Sequence, residues 1–412
     1  MRIEAIVLSF LALWRTTNAY SNCQPKSYYE LGSGESVTVN SPNYPPYGFN
    51  VNTACQFTVS GPIYHEMSVS CHFYIGVQAA DGSCDVRDSL QILTDGTTNF
   101  ARGTAMRFCG SDKTISNLKS AHNSVTIAYT STEYSGFYSC EIKAISKSSC
   151  DCGTKNIPKI VGGQAAEMNQ YPYMAAIMKK SQSPILKGGG TILSTNVVVC
   201  AAHELWENGA IMSANTLLVT VGRRNLKLAL ADDTPYAENY DVAQVISHPQ
   251  YDYNTGRNDI AVILVKVNFR FNRGVQPCCL PSSNEPQNKY YGQQLRAMGY
   301  GAVDFGKDYS YYLKYVDLSA MSNSQCAAYY GNDLVVYNED LCHSSSASGD
   351  TCQGDSGGPI IQVRYRDFLA CLVKTGPDCA GGAPGMCQKI GPYIEPFIMK
   401  VSPPKNYYCR FE

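Results

Sequence analysis

The sequence holds 412 residues with a formal net charge of −1, 44% hydrophobic residues and 18 cysteines. That length exceeds one ordinary domain and suffices for two with separate cores, and the near-neutral charge supplies no bulk field to attract nucleic acid or a membrane surface. The cysteines are scattered without the tight paired spacing of a zinc site, which argues against a reducing compartment and for disulfides and export.

In chain order, Met1-Arg2 precedes an apolar run from Ile6 to Trp14 and the small residues of Thr17-Asn18-Ala19. This pattern predicts a signal peptide over residues 1–19, cut after Ala19. A membrane anchor needs about 18–20 apolar residues, and no stretch supplies them, so the expected product is secreted and extracellular, with no membrane span. No Asn-X-Ser/Thr glycosylation acceptor is present.

Residues 23–144 carry short alternating stretches, such as Ser36-Val37-Thr38-Val39, Met67-Ser68-Val69-Ser70 and Ser124-Val125-Thr126-Ile127-Ala128-Tyr129, separated by Gly, Pro, Asn and Asp. Such spacing predicts an all-β sandwich. Ser41-Pro42-Asn43-Tyr44-Pro45, Asp88-Ser89-Leu90-Gln91-Ile92 after Cys84, Phe108-Cys109-Gly110 and Gly136-Phe137 resemble a CUB domain. The resemblance implies the disulfides Cys23–Cys55 and Cys84–Cys109. Cys71 and Cys140 stand outside that set and are candidates to pair with each other, though sequence does not determine connectivity. Many CUB domains bind calcium through carboxylates. Here Asp88 is one possible ligand, but Gly76 and Thr130-Ser131-Thr132 stand where other carboxylates are expected. Asp88 therefore reads as a solvated turn residue, no metal or cofactor is expected, and the segment reads as a docking module with its own ligand, or as a spacer.

Residues 145–159 shift to Lys, Ser, Cys, Thr and Pro with no apolar period, and form a linker. It runs into Lys159-Ile160-Val161-Gly162-Gly163. Beyond it, many β-like runs carry three further motifs: Ala201-Ala202-His203 after Val197-Val198-Val199, Asn258-Asp259-Ile260-Ala261-Val262, and Gly354-Asp355-Ser356-Gly357-Gly358-Pro359. A serine hydroxyl is a poor nucleophile until a base takes its proton, and an imidazole held by a carboxylate is suited to that task.

Together these motifs resemble the chymotrypsin-like (S1) serine proteases of trypsin-like specificity. The resemblance implies a domain over 160–399 of two antiparallel β-barrels, ending in a helix near 393–400, with a tail over 400–412. It implies His203, Asp259 and Ser356 as the catalytic triad and the N–H groups of Gly354 and Ser356 as the oxyanion hole. Asp350, six residues before Ser356, would select Lys or Arg in a primary pocket kept open by Gly376 and Gly385. An activating protease would cut after Lys159, and the new ammonium of Ile160 would pair with Asp355. Cys152–Cys279, Cys326–Cys342 and Cys352–Cys379 are the implied disulfides. Cys150 with Cys278 would form a second tether. Cys371 and Cys387 are candidates for one another, which leaves Cys200 and Cys409 to each other or free.

The chain departs from the S1 pattern at several positions. Gly188 and Glu204 stand where a cysteine pair usually brackets the histidine, and Leu295 and Gln362 replace another pair. Val373-Lys374-Thr375-Gly376 stands where Ser-Trp-Gly is usual, so Lys374 would bring an ammonium towards Asp259 and Thr375 would remove an apolar wall. The reading is a secreted zymogen of an endopeptidase that cleaves proteins after Arg or Lys, similar to CUB-bearing proteases of arthropod venom, saliva or haemolymph. The alternative is a catalytically weak homologue that binds a partner through its CUB domain.

Overall fold

The structure is a computed structural model that describes residues 26–42, 53–62, 65–100, 104–134, 136–147, 152–154, 166–302, 308–331, 334–344, 350–375, 383–402 and 408. Cys23, Cys150, Lys159, Ile160, Gly376, Cys379 and Cys409 lie outside the described residues. The chain divides into two compact units with a boundary between Ser146 and Lys147.

In the first unit, the strand His65–Ile75 buries every second residue, from His65 through Met67, Val69, Cys71 and Phe73 to Ile75. That period of two is what a strand with one face on a core produces. It lies between Gly110–Lys119 and Phe137–Ser146, and Ser36–Asn40 completes a four-stranded sheet. Tyr28–Glu30, Thr53–Ser60, Ser124–Ser131, Ser89–Leu93 and Met106–Phe108 form a five-stranded sheet. Met67, Phe73 and Tyr138 of one sheet share a core with Phe57, Ile92 and Tyr129 of the other.

Cys71 and Cys140 face each other in register and are disulfide-bonded, as are Cys84 and Cys109. Cys55 is also disulfide-bonded. Asp88 differs from its expectation as a solvated turn residue: it is 5% exposed. Its carboxylate accepts the N–H groups of Thr132, Glu133 and Tyr134 at 2.8, 3.1 and 3.3 Å and the Thr132 hydroxyl at 2.8 Å. Those bonds compensate the burial of the charge and make Asp88 a fastener for that loop.

The second unit contains two closed six-stranded barrels. The first runs Met174–Lys179, Ile185–Ser194, Val197–Cys200, Ala261–Val265, Glu238–Ser247, Leu217–Val221 around its ring. The second runs Gln294–Gly299, Lys314–Met321, Asp340–Ser344, Gly385–Lys389, Phe368–Thr375, Pro359–Gln362. Val197–Cys200 and Ala261–Val265 are wholly buried runs rich in β-branched residues, which suit a central strand. A shared core joins the barrels, with Val199 and Leu264 of the first near Met298, Ile361 and Leu372 of the second. The C-terminal segment packs into the same core through Ile394, Phe397 and Ile398.

That segment is helical but irregular. A 3₁₀ turn at Gly391–Tyr393 passes into a π-helical turn at Ile394–Ile398 and a short α-helical end at Met399–Val401. Pro396 lies inside the wide turn, where it has no N–H to contribute to a regular helix.

Disulfides join Cys152 to Cys279, Cys326 to Cys342 and Cys371 to Cys387, and Cys352 is disulfide-bonded. The expected second tether through Cys278 is corrected: Cys278 is a free, fully buried thiol, directed at the Asp367 carbonyl 3.5 Å away. Adjacent residues in extended backbone project to opposite sides, so while Cys279 meets Cys152, Cys278 joins the core between the barrels. Cys200 is likewise a free thiol, in the core of the first barrel.

Candidate active site

Strand register brings the histidine and the aspartate together. Val197–Cys200 pairs antiparallel with Ala261–Val265, with Cys200 opposite Ala261, so His203, just after one strand, meets Asp259, just before the other. The His203 backbone N–H donates to Asp259 Oδ1 at 2.8 Å, and His203 Nδ1 lies 2.6 Å from Oδ2. Asp259 is 2% exposed, and its own N–H donates to Gln388 Oε1 at 2.9 Å. The carboxylate thus holds one tautomer and one orientation of the ring.

Ser356 comes from the second barrel. It sits between two glycines with positive φ, Gly354 at 90° and Gly357 at 74°, a backbone that residues with a Cβ resist. Gly189 donates its N–H to the Ser356 carbonyl at 2.7 Å, and Gly357 donates to Val373 O at 2.8 Å. These bonds pin the serine loop to strands of both barrels. His203, Asp259, Gly354 and Ser356 line a single cleft of about 870 Å³. A serine, an imidazole and a buried carboxylate in one cleft can perform acyl transfer.

The second nitrogen of His203 has an acidic neighbour. Nε2 lies 3.1 Å from Glu204 Oε1. Burial by itself would push the imidazole down, but the charge and hydrogen bond of Asp259, followed by those of Glu204, outweigh it and place its pKa at about 10.

The family model described as Trypsin matches residues 160–397. The chain belongs to the trypsin family. It is a serine endopeptidase of the S1 family, and protein substrates follow from that membership. It is 27% identical to "Venom serine protease 34" of Apis mellifera, over 100% of this chain and 96% of that protein. It is 30% identical to "Venom serine protease" of Polistes dominula, over 63% of this chain and 91% of that protein. A third relative, "CLIP domain-containing serine protease HP8" of Bombyx mori, is 29% identical over 61% of this chain and 71% of its own length. Among the described residues, no helix of this protease is long and apolar enough to cross a membrane.

Lys374 corrects an expectation. It does not approach Asp259: its ammonium donates to Asp340 Oδ1 at 2.8 Å, and both side chains are buried. A register shift between Val373 and Thr375 locally breaks the ladder, and such bulges re-aim side chains. Thr375 is exposed at the cleft rim.

Asp350 is nearly enclosed, and its Oδ1 accepts the Thr351 N–H at 2.7 Å. Burial raises its pKa. Beside it stands a residue that the sequence did not single out. His343 is fully buried, its Nδ1 is 4.0 Å from Asp350 Oδ1, and among the described residues neither ring nitrogen has a hydrogen-bond partner. Burial pushes its pKa down to about 4, so the ring is neutral at pH 7. Gly385, expected to hold a pocket open, leaves space that this ring occupies: a Cβ there would fall 2.3 Å from His343 Cε1. Gly385→Ala is expected to destabilise the fold by about 1–3 kcal/mol. Adding His343→Ala should recover part of that loss, which a double-mutant cycle in urea would measure.

Asp355 faces away from the cleft. Its carboxylate accepts Gly301 N–H at 2.8 Å and Cys352 N–H at 3.0 Å. Gly299 and Gly301 make its cradle, since a Cβ at either would lie 2.1 or 2.6 Å from Oδ1. Burial raises its pKa to about 6, against the pull of those hydrogen bonds. The unfolded chain binds fewer protons at this group between about pH 4 and 6, so stability of this chain falls as pH rises through that window. The size is about 3 kcal/mol. Asp355→Asn should flatten that part of the dependence of thermal unfolding on pH.

Proposed function

We propose that the chain is the secreted zymogen of a trypsin-like endopeptidase that cleaves peptide bonds after Arg or Lys in extracellular proteins. The double contact of Asp259 with His203, in a cleft shared with Ser356, carries this reading. In it, Ser356 attacks the scissile carbonyl, and His203 takes the hydroxyl proton and passes it to the leaving amine. Asp259 stabilises the imidazolium, and the N–H groups of Gly354 and Ser356 receive the oxyanion. Asp350 pairs with the substrate cation, with Gly376 and Gly385 at the walls of the primary pocket and His343 beside them.

Cleavage between Lys159 and Ile160 by an activating protease supplies an ammonium to Asp355. A buried carboxylate that accepts the neutral N–H groups of Gly301 and Cys352 is a partner such a charge favours. The Cys152–Cys279 disulfide then keeps the N-terminal part covalently attached. Residues 23–144 form a CUB-like docking domain, and two sheets around one core support that assignment. Cys23–Cys55 and Cys352–Cys379 complete the disulfide set, with Cys55 and Cys352 both bonded.

The test uses fluorogenic Arg, Lys, Phe and Ala peptides with the full chain, before and after verified cleavage at Lys159. Activity that appears on cleavage and is confined to Arg and Lys is the expected result. Inertness of chain with a confirmed Ile160 terminus would overturn the reading. Cleavage after Phe or Ala would remove only the role of Asp350.

A further inference from the structure

We propose that Glu204 is a second carboxylate partner of the catalytic histidine and a positioning residue of the reaction. It holds the ring nitrogen that must face Ser356, and so governs the pH at which His203 becomes free to act as a base. The inference rests on the proteolytic reading of His203 given above.

Both ring nitrogens have carboxylate partners, Nδ1 at 2.6 Å from Asp259 and Nε2 at 3.1 Å from Glu204. Carboxylates beside both nitrogens favour the form that carries N–H at each, which is the imidazolium. An imidazolium has no lone pair with which to take the proton of Ser356.

The arrangement is built into the chain. Glu204 side-chain exposure is 14%. Its arm fills space that Gly188 leaves empty: a Cβ at Gly188 would lie 2.9 Å from both Cγ and Cδ of Glu204, and 2.6 Å from the Ser356 carbonyl. Glycine at 188 and glutamate at 204 are therefore one steric unit beside the serine loop.

Other titratable groups also face the cleft. The Cys200 thiol and the Tyr251 and Tyr309 phenols are pushed up by burial and stay neutral at pH 7. Tyr253 also lines the cleft. Of the two lysines that line it, Lys374 is engaged by Asp340. Lys187, one residue before Gly188, also lines the cleft.

When Nε2 loses its proton, two acceptors face each other and the attraction becomes repulsion. Glu204 then withdraws and Nε2 can accept from Ser356. Substituting Glu204 should make the ring easier to deprotonate and shift the acid limb of activity downward.

The experiment compares the full-length, Lys159-cleaved protein with Glu204→Gln and Glu204→Ala, the amide preserving shape and the alanine removing the arm. The readouts are the pH profile of kcat/KM on an Arg peptide and NMR titration of His203 in the Ser356→Ala background. Both variants should lower the His203 midpoint and the acid limb by about one pH unit or more, a tenfold or greater change in proton affinity. Coincident His203 midpoints in parent and variants would overturn the proposal. Because the NMR titration needs no turnover, absence of activity in every chain would count against the proteolytic reading while the titration still decided the role of Glu204.

Discussion

Ser356→Ala is expected to lower kcat of the cleaved protein by about 10⁶-fold. Without the hydroxyl no acyl-enzyme forms, and His203 has no proton to accept. The loss should be one of chemistry alone. The serine backbone is fixed by the Gly189 N–H on its carbonyl and by the Gly357 bond to Val373, and neither involves the side chain. Thermal unfolding and the KM for Arg peptides should therefore stay close to those of the parent. The serine-directed label diisopropyl fluorophosphate should modify the parent and not the variant. A variant that retained activity within about tenfold of the parent, well short of a nucleophile's contribution, would show that Ser356 is not the nucleophile.

Asp259→Asn is the next largest expected effect, about 10⁴-fold in kcat. Asp259 accepts from both the backbone N–H and Nδ1 of His203. An asparagine has one carbonyl oxygen for these two donors. If its NH₂ group meets Nδ1, the ring must carry its proton on Nε2, which then has no lone pair with which to accept from Ser356. The bond from the Asp259 N–H to Gln388 is unaffected by the change, so the variant should fold. It should also separate the two carboxylates on the ring. Loss of Asp259 should remove the orienting partner and slow the reaction, whereas loss of Glu204 should free Nε2 and raise activity near neutral pH. Steady-state kinetics on both variants, paired with thermal melts, would measure the contrast.

The membership of residues 160–397 in the trypsin family was legible because its signals are local. A strand of valines, a histidine after it, an aspartate before another apolar strand and a serine among glycines are each short segments whose residue types their own chemistry demands. The His203–Asp259 contact needed only that those two strands pair.

Cysteine connectivity was less legible. Cys71 and Cys140 were candidates for each other, and their opposition in neighbouring strands is a matter of register. Cys278 was expected to bond because it adjoins Cys279, yet alternation along extended backbone points it the other way. Lys374 was placed near Asp259 by its position in the chain, and a local shift in strand register carries its ammonium to Asp340 instead. His343 belongs to the same class: it is an unremarked residue two after Leu341 and next to Cys342, and only the packing of its ring against Gly385 places it beside Asp350.

By itself, then, the sequence determined the β character of the chain and the residue types available for acyl transfer, because composition, period and glycine placement act within a few residues. The tertiary structure decided which charges meet. Asp340 for Lys374, Gln388 for the Asp259 N–H, and Glu204 for the far nitrogen of His203 are settled by strand register, by one bulge and by the volume left at Gly188. Those quantities depend on segments distant in the chain arriving at the same place, and no short stretch of residues encodes them.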